Sequence, residues 1–289
     1  MSSKRDTHRA ELRPLLLAAL QPSESPTHGG DDAAPGSLTD YMIVHSALPG
    51  PRGNLELAHA FADEVGALSR AAETGSAELL PALLHDLIQR YPPESFGGDP
   101  ASPQQMPQFC GAVAYGEWAG VDGRIEDGVS VLLEQAESPL WRIREAAAMG
   151  LQRMLACNWE HTLRELRRRA PEATPYQWRA LVAGMAEPAL LADTSRAAEA
   201  LALGRAALWY LRNRPAGERR AEPVRTLRQA LGYALSVLAA AAPDAGFALL
   251  HEALSVADDD VTWVVRENLG KKRLARWPEQ VANLRSRLG

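Results

Sequence analysis

The adjacent His85 and Asp86, in the segment ALLHDLI, form a first pair of residues whose side chains could do chemistry. An imidazole and a carboxylate that converge on a metal ion can activate a bound water molecule for hydrolysis. The further ligands of such a metal could come from elsewhere in the chain, namely His45 or His59 and Asp122 or Asp127. A histidine and an aspartate on the rim of an amphipathic helix give the same pattern, and we favour this interpretation. We therefore predict neither a metal site nor a cofactor.

Two further pairs stand four residues apart, a spacing that places side chains on one face of a helix. Trp118 and Asp122 could combine an aromatic ring with a carboxylate at a helix end, although the nearby glycines place Asp122 in the following turn. Cys157 and His161 could bind a metal or form a thiolate couple, but no third ligand is near. We therefore favour a structural role for Cys157.

Arginine dominates the basic residues, because the sequence has only three lysines. Two arginine-rich stretches could bind an acidic protein surface or the phosphates of a nucleic acid. The candidate binding residues are Arg164, Arg167, Arg168, Arg169, Arg212, Arg214, Arg219 and Arg220. Phosphate binding by such residues would weaken steeply with rising salt. The aromatic rings that could stack on bases belong to Trp159, Trp178 and Trp209, for which we favour core packing.

The charge of the chain is unevenly distributed. Residues 1–137 contain 8 Lys and Arg against 20 Asp and Glu, whereas residues 138–289 contain 23 against 16. An asymmetry of this size indicates a charged partner, or contact between the two halves or between subunits. Arginines scattered over solvated helix faces would give the same count, and this is the interpretation that we favour.

Composition bounds the class of protein. Of the 289 residues, 46% are hydrophobic and 23% are charged, which is typical of a globular chain. No run approaches the roughly 20 apolar residues of a membrane helix, and the first residues lack the apolar stretch of a secretory signal. Two cysteines are too few for a disulfide framework. We expect a soluble, reduced, cytoplasmic protein.

The elements that must position these side chains are helices. Residues 1–20 predict a helix whose first turns Pro14 interrupts, and the Pro- and Gly-rich residues 21–37 predict a linker. Thr39 and Asp40 suit a helix start, and Asn54 suits the cap of the next helix. That helix presents an apolar face at three- and four-residue steps, formed by Leu57, Phe61, Val65 and Leu68. On it, His59 and Asp63 predict a surface hydrogen bond. No alternation with a period of two supports a strand.

The second part of the chain repeats a helical pattern. The segment SPLWRIREAAAMGLQRML can be aligned with DVTWVVRENLGKKRL and EPVRTLRQALGYALSVL, and more loosely with TPYQWRALVAGMAEP. The residues that define the repeat are Trp141, Arg144, Trp178, Arg179, Arg228, Trp263 and Arg266. The aligned arginines at 144 and 228 are 84 residues apart, or two units of 42, and those at 228 and 266 are 38 apart. Each copy precedes a second amphipathic stretch, so the pattern predicts successive helix pairs.

Residues 139–151, with their Pro-x-Trp-x-x-Arg-x-Ala-Ala pattern, resemble HEAT-repeat proteins. The resemblance implies an all-α fold, a right-handed α-solenoid of ten to twelve helices in antiparallel pairs. We expect an N-terminal helix and linker over residues 1–37, a helical part over 38–103 that ends in a Pro- and Gly-rich loop, and the repeat array over 104–289.

This resemblance implies a scaffold that binds a protein partner through one face and has no catalytic activity. Alkylation-repair DNA glycosylases are also built from HEAT-like repeats, and the chain is similar to them in architecture. Nucleic-acid binding is therefore the alternative. No nucleotide-binding glycine loop or nucleophile elbow is present, and neither a membrane nor a small-molecule ligand is indicated.

Overall fold

The computed structural model describes residues 3–21, 36–71 and 76–288, without the side chains of residues 76 and 77. Within these ranges all regular secondary structure is helical, with fourteen α-helices, five short 3-10 helices and no strand. This confirms the predicted all-α class, whereas the predicted number of helices is too low. Most of the predicted linker, residues 22–35, lies outside the described residues.

The chain divides into two compact units, Met1–Thr162 and Leu163–Gly289. The helices of the first unit are α1 (Lys4–Ala19), α2 (Leu38–Val44), α3 (Leu55–Arg70), α4 (Ser76–Gln89), α5 (Met106–Asp122), α6 (Ile125–Gln135) and α7 (Trp141–Cys157). The helix α8 (Trp159–Arg169) begins in the first unit and ends in the second. The second unit continues with α9 (Pro175–Met185), α10 (Thr194–Arg212), α11 (Glu222–Ala241), α12 (Pro243–Leu254), α13 (Asp259–Leu269) and α14 (Pro278–Ser286).

Two predicted helix starts have different outcomes. Asn54 caps α3 as predicted, because its side chain accepts a hydrogen bond from the backbone N–H of Leu57. Helix α2 begins earlier than predicted: Ser37 is its cap and accepts from the backbone N–H of Asp40. The apolar face predicted for α3 is confirmed, since its four large side chains are all buried.

Helix α1 runs through Pro14 without a break, contrary to the predicted interruption. Tertiary contacts outweigh the lost backbone hydrogen bond at the proline, because Leu12 and Leu16 are completely buried where α1 packs against α3. His8 adds a polar contact: its Nδ1 lies 2.9 Å from the Tyr41 hydroxyl and its Nε2 accepts from the Asn54 amide at 3.1 Å.

In the first unit, α3, α5 and α7 pack side by side in chain order. Glycines bring these helices into close contact. A Cβ atom on Gly116 of α5 would lie 2.1 Å from the carbonyl oxygen of Gly150 on α7, so the two backbones touch. Gly66 of α3 similarly leaves room for the carboxylate of Glu117, which would lie 2.4 Å from an added Cβ.

In the second unit, α11 packs between α9 and α13, and α10 and α12 pack beside these helices. The predicted second helix of each pair is confirmed in α8, α10, α12 and α14. None of the helices in the described part of the chain has both the length and the apolar composition needed to cross a membrane.

Candidate protein-binding surface

The arginines predicted on α8 are engaged with carboxylates of the second unit. Arg168 and Arg169 meet at Glu165, with N–O distances of 2.6 and 2.8 Å, and Arg167 lies 3.7 Å from Glu199. Glu165 is nearly completely buried, and hydrogen bonds from Arg168, aided by Arg169, lower the pKa of its carboxyl group. Arg164 is exposed and forms no ion pair with any described residue. The helix therefore presents far less free positive charge than its sequence suggests.

The later arginines meet in the connection between α10 and α11. Arg219 donates to the backbone carbonyl of Arg214 at 3.1 Å and to that of Arg212, and its guanidinium lies 2.8 Å from Asp258. Arg214 lies 3.8 Å from Glu218, so its charge is also compensated. The exposed Arg220 has no ion pair within the described ranges. The structure thus brings together three of the four predicted residues of this stretch.

The tryptophans of the predicted repeat occupy unlike environments. Trp141 is 45% exposed, with the Arg142 guanidinium 4.5 Å from its ring centroid. Trp178 is buried against Tyr210, at a centroid distance of 5.5 Å, and Trp263 is half-buried. Core packing is therefore confirmed for Trp178, and Trp159 is likewise buried.

The aligned arginines also differ in their contacts. Arg144 is buried and donates to the backbone carbonyls of Ser138 and Pro139, which directly precede α7. Arg228 reaches Asp260 at 2.5 Å instead. Arg179 is half-buried and Arg266 is exposed. The alignment identifies residues at corresponding helix positions, and their contacts then depend on the neighbouring helix.

Two arginine–aromatic stacks involve α11, one with α13 and one with the 3-10 helix Lys272–Arg276 that follows α13. We call these four residues the α11/α13 surface (Arg228, Tyr233, Trp263 and Arg273). The Arg228 guanidinium lies 4.7 Å from the centroid of the Trp263 ring. The Arg273 guanidinium lies 4.5 Å from the centroid of Tyr233 and donates to its hydroxyl at 2.5 Å. Such stacks contribute about 0.5–1 kcal/mol each at exposed sites, and they hold long side chains in one orientation.

Tyr233 is the most exposed large aromatic residue in the described part of the chain, at 50% of its surface. The adjacent Gly232 allows the Trp263 ring to lie against α11, because a Cβ there would meet that ring at 3.0 Å. The sequence analysis missed Tyr233 and Arg273. An available signal was the placement of Arg225, Gln229 and Tyr233 at four-residue steps, all of which are exposed.

A partly buried charge cluster joins helices of the first unit. Arg153 of α7 lies 2.8 Å from Asp63 of α3 and 3.3 Å from Glu117 of α5, and it also contacts His59. Arg5 of α1 completes the contacts of Asp63 with two hydrogen bonds of 2.6 Å. We call these five residues the Arg153 cluster. The predicted surface hydrogen bond between His59 and Asp63 is wrong, because both side chains turn towards Arg153.

The periphery of this cluster is also paired. Arg70 donates to Glu117 at 2.7 Å and lies 3.8 Å from the Cys157 sulfur, while Arg9 donates to Glu64 at 2.7 Å. Burial would raise the pKa of Asp63, but hydrogen bonds from Arg5 and Arg153 lower it overall. Burial, reinforced by Arg153, lowers the pKa of His59. A neutral His59 and an ionised Asp63 are therefore the favoured forms.

The neutral His59 predicts an acid-sensitive first unit. The unfolded chain takes up a proton at His59 near its ordinary pKa of 6.5, whereas the folded chain resists until a lower pH. The free energy of unfolding should therefore decrease as the pH falls below 6.5, and it should be fully recovered above this value. His59→Gln should make the decrease between about pH 7.5 and about pH 5.5 smaller, as measured by urea unfolding. The exposed His85→Gln is the control, and an equal effect of both changes would contradict the assignment.

The other candidate pairs do not form a catalytic arrangement in the structure. Asp86 is paired with Arg90 at 2.7 Å, and the described residues contain no group of three or more His, Cys, Asp or Glu that could hold a metal ion. Trp118 is buried, and Asp122 ends α5 and lies 3.5 Å from Arg124. His161 lies 2.9 Å from the Asn158 side-chain oxygen, so its contact is local.

Comparison with known proteins gives no match: no protein-family model fits the chain, and no curated protein and no solved structure matches it either. The resemblance to HEAT repeats therefore stays a prediction.

Proposed function

We propose that the chain is a HEAT-like scaffold that binds an acidic protein partner through the α11/α13 surface. The order of helix packing supports the scaffold: within each unit, alternate helices of the chain pack side by side, and the intervening helices pack beside them. Helix pairs of this kind bury their apolar sides only against their neighbours, as the repeats of a right-handed α-solenoid do. No catalytic step is part of the proposal.

The exposure of Tyr233 beneath the Arg273 guanidinium is the observation that carries the binding surface. Tyrosine, tryptophan and arginine are the residue types that contribute most to the centres of protein interfaces. Here their orientations are fixed before binding, because each ring holds a guanidinium group. Preorganisation of this kind reduces the entropy lost on association. The excess of basic residues in this unit, 20 Lys and Arg against 14 Asp and Glu, favours an acidic partner.

Nucleic-acid binding is the second candidate function, since aromatic rings interleaved with arginines can also stack bases and contact phosphates. The two functions differ in their response to salt and in the partner that is bound. A single-stranded oligonucleotide should bind with a steep dependence on salt if the second candidate is correct.

The experiment compares the full chain with the double variant Tyr233→Ala/Arg273→Glu in binding to a fluorescent acidic peptide and to a single-stranded oligonucleotide. The proposal predicts binding of the acidic peptide, weakened about tenfold or more by the double change, because the change removes both a hot-spot ring and its cation. Tighter binding of the oligonucleotide, with the same sensitivity, would favour the second candidate.

Arg287→Glu provides the matched control, because it makes the same change of charge at an exposed arginine of the same unit. Its dissociation constant should stay within about twofold of that of the unmodified chain. Equal weakening by the control would show that only the overall charge matters and would contradict the proposed surface.

A further inference from the structure

A cavity of about 350 Å³ lies in the first unit, where the C-terminal ends of α4 and α6 meet the beginning of α5. Its polar lining consists of His85, Gln89, Gln108, Glu134 and Gln135. Two helix C-termini and one N-terminus adjoin it, and C-termini carry partial negative charge. The α11/α13 surface lies in the other unit, so the cavity is a separate site.

Gln108 has an unsatisfied acceptor beside this cavity. Its side chain extends towards α6, because its Nε2 donates to the Gln135 Oε1 at 2.8 Å and both residues line the cavity. Gln108 is 93% buried, and its Oε1 has no hydrogen-bond partner among the residues described. A buried polar atom without a partner costs about 1–3 kcal/mol, so such atoms usually mark a place where another group binds. Only a hydrogen-bond donor could satisfy this atom.

The charge of the cavity indicates the same kind of ligand. Glu134 is exposed at its edge and forms no ion pair within the described ranges, and a carboxylate accepts hydrogen bonds only. The remaining walls include Ile88, Pro93 and Val131, which can cover the methylene groups of a long side chain. An elongated apolar stem with a cationic, donor-rich end fits both sets of walls.

We infer that this cavity binds an arginine side chain from a basic segment of a protein partner. Charge complementarity selects the occupant: residues 1–162 contain 22 Asp and Glu against 11 Lys and Arg. Most of these arginines are engaged in internal contacts, as in the Arg153 cluster and the pair of Arg90 with Asp86. A guanidinium group has five N–H donors, so it can donate to more than one acceptor of the lining.

The test is a titration of the full chain with Nα-acetyl-arginine amide, followed by NMR chemical shifts or calorimetry. Its uncharged isostere, Nα-acetyl-citrulline amide, should bind at least about tenfold more weakly, because it cannot pair with a carboxylate. Glu134→Gln should weaken the binding of the arginine probe about tenfold for the same reason. Gln108→Leu should weaken it about fivefold by removing the buried acceptor.

Glu126→Gln is the matched control, since Glu126 is an exposed acid of the same helix that does not line the cavity. This variant should bind the arginine probe as the unmodified chain does. Equal binding of the citrulline and arginine probes, or equal loss in Glu126→Gln and Glu134→Gln, would overturn the inference. Because the probe is a small molecule, the outcome does not depend on the α11/α13 surface.

Discussion

Replacement of Gly116 by alanine should lower the free energy of unfolding by about 3 kcal/mol or more, the largest effect that we expect from the addition of a single methyl group. In a free helix the same change would be favourable by about 1 kcal/mol. Here the added Cβ would lie 2.1 Å from the carbonyl oxygen of Gly150, and the contact is between two backbones. A helix backbone cannot move away as the end of a flexible side chain can, so α5 and α7 must separate along their length.

Urea unfolding followed by circular dichroism measures this effect, with Gly53→Ala as the control. Gly53 belongs to the same unit, and an added Cβ would meet only the Met106 sulfur at 3.8 Å and the Ser46 carbonyl oxygen at 4.0 Å, both ordinary contact distances. The control should change stability by less than about 0.5 kcal/mol. An equally small effect of Gly116→Ala would mean that α5 and α7 are farther apart than described.

Replacement of Arg153 by methionine should lower the free energy of unfolding by about 3 kcal/mol. Methionine retains most of the volume, so the loss is electrostatic. Asp63 and Glu117 would keep one arginine each, Arg5 and Arg70, but both carboxylates would lose the guanidinium group that lies between them. Burial makes this loss costly, because little water can replace the missing donor.

Chemical unfolding of a double-mutant cycle tests the assignment. In the background of Glu117→Gln, the effect of Arg153→Met should be smaller by about 1 kcal/mol or more, since one of the two charges is already absent. Arg90→Met is the control for an exposed ion pair and should cost less than about 0.5 kcal/mol. Strict additivity of Glu117→Gln and Arg153→Met would show that the two residues do not interact.

The Arg153 cluster also links four helices of the first unit through their charged side chains. Each of α1, α3, α5 and α7 contributes at least one charged side chain to this cluster, so the cluster fixes their alignment. A hydrophobic interface alone tolerates small slides between helices. A buried carboxylate with specific guanidinium partners favours one alignment, and this is a further reason to expect a cooperative loss of structure in acid.

How far the sequence could predict the candidate surfaces depends on the residue. The arginines of α8 were predicted as binding residues from their density in the sequence, but the sequence did not reveal that Arg167, Arg168 and Arg169 pair with Glu165 and Glu199. The four-residue spacing of Tyr233 with Arg225 and Gln229 indicated an exposed position, but no local pattern indicated that Arg273 would stack on its ring. The cavity beside Gln108 was not predictable, since glutamines have no characteristic spacing.

The sequence alone determined the helical class and the cap at Asn54, because periodicity and capping side chains act over a few residues. It also determined the excess of acid in the first unit and of base in the second, which is a matter of composition. Only the tertiary structure decided that α1 continues through Pro14, that Gly116 touches Gly150, and that His59 and Asp63 meet Arg153. These contacts join residues about 30 to 90 positions apart, and their energies depend on burial, which local sequence patterns do not specify.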